Sequence, residues 1–239
     1  MDVISSLITQ YNQEEPVDAS PKYAFFICDT KEAFVMNVVG KMWAAEKVTE
    51  GFCAFGKGFS VGTKIDKKSE GLEDKLKELG LFDGSCELNF SQAFSMEVPD
   101  VKWPCEEPSS GFSAQKMFEV LRASAEGNEE IASSFVSVLK ESNSAYWFTG
   151  TSNPRESVFK PFIFTKDAKM SPLTALKDDD ETLLRKLHSN RNWDQVGELL
   201  KSLEKSCVDE IDGYIDDAPT DELNDLLKDC VEAEVKFYR

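Results

Sequence analysis

One histidine, His188, serves a chain of 239 residues, and the six cysteines at 28, 53, 86, 105, 207 and 230 form no Cys-x-x-Cys pair. A Ser–His or Cys–His catalytic pair would have to use that single imidazole. It lies in an acidic helical segment beside Asn190 and Arg191 with no nucleophile near it in sequence, so a surface histidine is expected. The cysteines are too sparse for a disulfide framework and read as reduced thiols. Long apolar runs are missing: Tyr23 to Cys28 and Phe162 to Phe164 fall far short of the roughly 20 residues a spanning helix needs. Basic runs are missing too. With 27 Lys and Arg against 44 Asp and Glu, the formal charge is −17, a field that repels phosphate backbones and anionic lipid heads. Nucleic acid and membrane are therefore poor partner classes. Met1-Asp2-Val3 carries an acid where a secretory signal carries bases, which makes the cytoplasm the expected compartment. Asn89-Phe90-Ser91 fits the N-glycosylation pattern, but a chain outside the secretory route does not use it.

What is present is core material: 41% hydrophobic residues, 17 of them Phe, enough for one large domain or one with an appendage. Val3, Ile4, Leu7, Ile8 and Tyr11 recur at helical spacing. Residues 23–28 and 33–39 flank Asp29-Thr30-Lys31-Glu32, a connector of hairpin length, and predict two antiparallel strands. Residues 42–48 and 52–61 extend the β-rich reading, with Gly40, Gly51, Gly56 and Gly58 between them. A helix over 69–79 places Leu72, Leu76 and Leu79 on one face and stops at Gly80. Ser113 is positioned to cap a helix that turns Met117, Phe118 and Leu121 inward. Strands follow over 131–139, 146–149 and 158–164, the last two joined by a turn at Gly150 to Pro154. Composition changes after Pro172. From Lys177 onward there are 18 acidic and 9 basic residues, and the stripes Leu183, Leu184, Leu187, then Trp193, Val196, Leu199, Leu200, Leu203, then Leu223, Leu226, Leu227, Cys230 mark three amphipathic helices. The expected organisation is an α+β region over 1–172 and an acidic helical cap over 173–239.

Several constellations invite chemistry. Gly56-Lys57-Gly58 to Gly62 has the spacing G-x-G-x-x-x-G with no helix start behind it, so a glycine-kinked strand pair is favoured over a phosphate loop. Asp209 to Asp221 is dense in acid, but Gly213 at the sixth position of a calcium loop puts Val208 at the first, where a carboxylate is required. No metal or cofactor is expected. Lys160 alternates with Val158, Phe162 and Phe164 along one strand face, where lysine is unusual. Two readings remain: a snorkelling edge lysine, favoured by Pro161, or a buried ammonium paired with a carboxylate such as Asp66.

Three blocks of residues, Cys28 to Ala45, Phe59 to Asp66, and Trp147 to Pro154 with Ser157 to Phe162, occur in an order that resembles the secernins, a cytosolic family grouped with cysteine dipeptidases of the N-terminal-nucleophile hydrolase class. The likeness runs with gaps from near residue 1 to about 165 and carries the motif residues Trp43, Lys64, Asp66, Pro154 and Lys160. It implies a four-layer αββα sandwich, of which this chain would form part. In that class the N-terminal residue is the nucleophile and its own α-amine the base, so one histidine is no obstacle. The family's catalytic cysteine precedes every matched block. Cys28-Asp29-Thr30 copies the family's opening tripeptide but lies in a hairpin that matches an internal block. Lys57 stands where the pattern has an oxyanion-stabilising Asn, a donor whose loss costs on the order of 10²–10³ in rate.

The resemblance therefore implies a secernin-like protein related to dipeptidases and not catalytic as this chain alone. The alternatives are a non-catalytic interaction module in regulated exocytosis, and the C-terminal half of a two-part thiol dipeptidase acting on dipeptide-like substrates. Half a sandwich leaves apolar sheet uncovered, so a protein partner or a homodimer is expected to cover it.

Overall fold

Two near-continuous apolar runs on either side of a four-residue connector form the first hairpin. Asp29 closes it: its Oδ1 accepts from the Lys31 and Glu32 amides, each at 2.8 Å. The resulting strands, β1 (Lys22–Cys28) and β2 (Ala33–Val39), pair antiparallel with Cys28 opposite Ala33 and Lys22 opposite Val39. The structure is a computed structural model that describes residues 2–11, 20–49, 58–96, 113–125, 131, 133–141, 143–176, 181–214 and 223–238. Its fold is mixed α+β with two antiparallel sheets and, among the described residues, seven α-helices. The chain divides into two compact units, Met1–Pro108 and Ser109–Arg239. The expected boundary at 172/173 falls inside the second unit.

In the first unit β3 (Met42–Val48) and the short β4 (Lys67–Lys68) continue the sheet in the order β1-β2-β3-β4. β2 is buried on both faces, Val35 and Val39 toward Phe59, Leu72 and Phe90, and Met36 and Val38 toward Ile8 of α1 (Asp2–Tyr11). The strand expected to run to Val61 does not form over 58–61, and 52–57 lie outside the described residues. The buried side chain of Asn37 replaces a ladder there, its Oδ1 accepting from the Ser60 and Val61 amides at 2.9 and 2.8 Å. Helix α2 (Leu72–Glu78) ends in a Schellman motif, with Gly80 at φ +69°, its amide bonded to Lys77 O and that of Leu81 to Leu76 O. Leu79 therefore lies past the helix and is exposed, whereas Leu72 and Leu76 are buried. Asn89 caps the four-residue α3 (Phe90–Ala93) by accepting from Gln92 N.

In the second unit Ser113 caps α4 (Ala114–Ser124) as expected, accepting from Lys116 N at 3.2 Å. Strands β5 (Phe135–Val138), β6 (Ala145–Phe148) and β7 (Lys160–Ile163) form a meander with Tyr146 opposite both Ser137 and Phe162. Successive residues alternate between two clusters. Val136, Ala145, Trp147 and Ile163 join Phe118 of α4 and Leu200, Val208 and Ile211 of α6 (Trp193–Tyr214). Phe148 and Phe162 join Leu184 of α5 (Leu183–Asn190) and Leu227, Val231 and Val235 of α7 (Leu226–Phe237). The three acidic helices thus supply much of the wall of this small sheet.

Candidate functional site

Lys160 opens β7 opposite Phe148 and two residues before Phe162, both in the second of those clusters, so its ammonium arrives in an apolar site. A charge there needs a counter-charge and satisfied protons. Both come from nearby: Nζ donates to Glu234 Oε2 at 2.8 Å and to the Val158 carbonyl at 2.9 Å. Lys160 and Glu234 are each 0% exposed. The snorkelling reading of Lys160 is thereby replaced by the paired one, and the partner is Glu234 of α7, not Asp66.

Glu234 links the pair to two further groups. Its Oε1 accepts from the Tyr238 hydroxyl at 2.5 Å. That hydroxyl, its proton committed to the carboxylate, can only accept from His188 Nδ1, which lies 3.3 Å away. The neutral imidazole is therefore assigned the Nδ1–H tautomer. His188 is buried, which corrects the expectation of a surface histidine; Arg185, Ser189 and Asn190 of α5 are exposed while its own side chain turns toward Tyr238. Burial first, and then the Arg191 guanidinium, push its pKa down to about 3. Burial and the adjacent Glu234 charge push the Tyr238 phenol well up. At neutral pH the chain of contacts is neutral His188, neutral Tyr238, and the Glu234–Lys160 ion pair.

A second buried carboxylate lies on α6. Glu204 receives a two-pronged contact from Arg122 of α4, Nη1 at 2.9 Å and Nη2 at 2.7 Å, and its Oε2 also accepts from the Phe159 amide at 2.7 Å. Arg122 further donates to the Pro154 and Ser157 carbonyls and lies over the Phe159 ring. Pro154 itself is buried at the head of a 3₁₀ turn, Pro154–Glu156. Glu204 and Glu234 hold α6 and α7 to the residues that lead into β7.

The other motif residues stitch the first sheet. Asp66 Oδ2 accepts from the Lys47 amide at 2.7 Å, and Asp66 N donates to Ala45 O. Lys64 reaches Glu46 at 3.1 Å and the Lys47 carbonyl at 3.3 Å. The Trp43 amide donates to Ser69 Oγ, and its carbonyl accepts from Ser69 N. Lys57 lies outside the described residues. Cys28 is an exposed free thiol at the end of β1, and burial of part of its surroundings, then the Asp29 charge, raise its pKa. That is opposite to the shift of an activated nucleophile. Among the described residues no group of three His, Cys, Asp or Glu could hold a metal ion, and no helix is long and apolar enough to cross a membrane.

Motif reading missed Arg122 and Tyr238 and, with them, the two buried acids Glu204 and Glu234. Each left a signal: Glu204 falls in the stripe Leu200, Leu203, Cys207, Val208, Ile211, and Glu234 in the stripe Leu227, Cys230, Val231, Val235. An acid on the apolar face of an amphipathic helix is out of place unless a cation meets it. No family model matches the chain, and no solved structure matches it.

Proposed function

We propose that the chain is a secernin-like protein, of the family related to cysteine dipeptidases, that acts as a non-catalytic interaction module built on part of an αββα sandwich. The observation that carries this reading is the use to which the motif residues are put. Lys160 is sealed against Glu234, Pro154 receives Arg122, and Asp66 and Lys64 fasten the edge of the first sheet. These are contacts that hold elements together: Lys160 and Pro154 are buried, and Lys64 and Asp66, though exposed, are engaged along the sheet edge. A thiol peptidase needs an accessible thiolate, and the Cys28 thiol is shifted away from that form.

The reading of a protein partner is supported by aromatic surface. Phe135, Tyr146, Phe164 and Phe162 form a run of ring contacts, with centroids 6.1, 5.1 and 4.8 Å apart in turn, and Phe164 is 74% exposed. Regulated exocytosis is the setting that the resemblance implies. The test is a panel of dipeptides offered to the purified chain with and without a thiol-alkylating reagent. The expected result is no turnover above buffer in either arm, and thiol-sensitive hydrolysis would overturn the reading.

A further inference from the structure

Two thiols meet in the core of the second unit. Cys207 on α6 and Cys230 on α7 are free and buried, and their sulfurs are 3.7 Å apart. We propose that Cys207 and Cys230 are a site of reversible covalent modification, a dithiol that a peroxide converts into a disulfide joining α6 to α7. The separation is that of sulfurs in van der Waals contact, and a bond of about 2.05 Å requires the two sulfurs to approach further. Cys230 precedes Glu234 by one helical turn; burial and the Glu204, Glu210 and Glu234 charges near the two sulfurs disfavour their thiolates, and the Lys160 ammonium opposes this with a smaller effect than burial. Contact with Cys230 holds the Cys207 thiol below its ordinary value, while the same contact and burial push Cys230 up. Cys207, the less buried of the two at 6% exposed against 4%, is assigned as the attacking sulfur and Cys230 as the resolving one.

The chemistry balances with one peroxide. The Cys207 thiolate attacks a peroxide oxygen; the S–O bond forms, the O–O bond breaks, and the departing hydroxide leaves as water with the proton that the thiol gave up. The Cys230 sulfur then attacks the sulfenic sulfur. The S–S bond forms, the S–O bond breaks, and the second hydroxide takes the Cys230 proton to become water. Two electrons have passed from the thiols to the peroxide, and a dithiol reductant returns them. Burial makes the pair slower to react than exposed Cys28 and Cys86, and it favours an oxidant the size of water over a bulky reagent.

The test uses the full chain with Cys28, Cys53, Cys86 and Cys105 changed to Ser, so that only the pair remains. After hydrogen peroxide and quenching with N-ethylmaleimide in denaturant, the expected product has lost the mass of two hydrogens, carries no maleimide, and yields a proteolytic fragment linking Cys207 to Cys230. Dithiothreitol restores two alkylatable thiols. The link is expected to raise the Tm of the second unit by about 10 °C, and a further Cys230→Ser change to abolish that rise and leave a sulfenic acid at Cys207. If the four-serine chain fails to fold, the same peptide mapping on the unmodified chain decides. Two thiols still open to maleimide, or a sulfinic acid at Cys207 with Cys230 intact, would overturn the proposal.

Discussion

Removing the Lys160 ammonium while leaving its partner tests the buried pair directly. Lys160→Met keeps the length and apolar character of the side chain and strands the Glu234 carboxylate, whose remaining support is the Tyr238 hydroxyl. Breaking a fully buried pair in this way costs about 3–5 kcal/mol. The surviving hydrogen bond argues for the lower end, about 3 kcal/mol. Glu234→Leu strands the ammonium, which keeps only the Val158 carbonyl, and the expected loss is about 4 kcal/mol on the same grounds. Both charges removed together should leave stability within about 1–2 kcal/mol of the starting protein, because apolar side chains of similar volume fill such sites well. In the double-mutant cycle the summed single losses then exceed the double-variant loss by about 5 kcal/mol or more. Urea denaturation followed by emission, with Trp43, Trp103 and Trp193 changed to Phe in every variant, reads Trp147, whose indole is buried in β6 beside β7. The two units can unfold separately, so hydrogen exchange over 160–163 and 226–237 assigns the transition. Single variants within about 1 kcal/mol of the parent, as expected for an exposed pair, would refute the burial on which the site description rests.

Histidine titration gives a second check, and the single imidazole makes it clean. The His188 C2 proton is expected to show no titration between pH 8 and pH 5 in the folded chain, because its pKa is held at about 3; a midpoint near 6.5 by NMR would contradict its burial. The unfolded chain binds that proton from about pH 6.5 downward, so stability falls with acidification between the two values, by up to about 1.4 kcal/mol per pH unit, and His188→Gln should flatten this slope in pH-dependent denaturation. Glu204→Leu leaves Arg122 and the Phe159 amide without their acceptor and is expected to cost about 2–4 kcal/mol by denaturant titration; a loss under about 1 kcal/mol would show the contact to be loose. Asn37→Ala exposes the Ser60 and Val61 amides to an apolar surround, and a loss of about 1–3 kcal/mol with faster exchange at both is expected.

The elements were legible where local pattern decides them. The hairpin at Asp29, the cap at Ser113, the stop at Gly80 and the three helices after Pro172 all follow from capping, turn chemistry and apolar spacing. Pattern failed where a distant side chain decides. Residues 58–61 carry the apolar alternation of a strand, yet their amides are taken by Asn37, a polar residue inside a strand otherwise fit for the core. His188 was read from its acidic sequence neighbours, whereas its surroundings are set by Tyr238, 50 residues on. Lys160 was recognised as anomalous, but nothing in β7 points to a partner 74 residues away.

The missed partners share one physical logic. A carboxylate on the apolar stripe of a helix is unfavourable in every arrangement but those that bring a cation or amide to it. Glu234 and Glu204 therefore do more than add two ion pairs: they penalise any sliding or rotation of α7 and α6 that would still satisfy the leucines around them. Hydrophobic contact alone is tolerant of register, since Leu200, Leu203 and Ile211, or Leu227, Val231 and Val235, can find apolar neighbours after a one-turn shift. A shift of that kind strands Glu204 from Arg122 or Glu234 from Lys160. The same registration holds the Cys207 and Cys230 sulfurs 3.7 Å apart, so loosening either carboxylate contact should slow formation of the cross-link even where the fold survives. Glu204→Gln, which keeps an acceptor but removes the charge that pairs with Arg122, is the variant in which that coupling can be read as a rate.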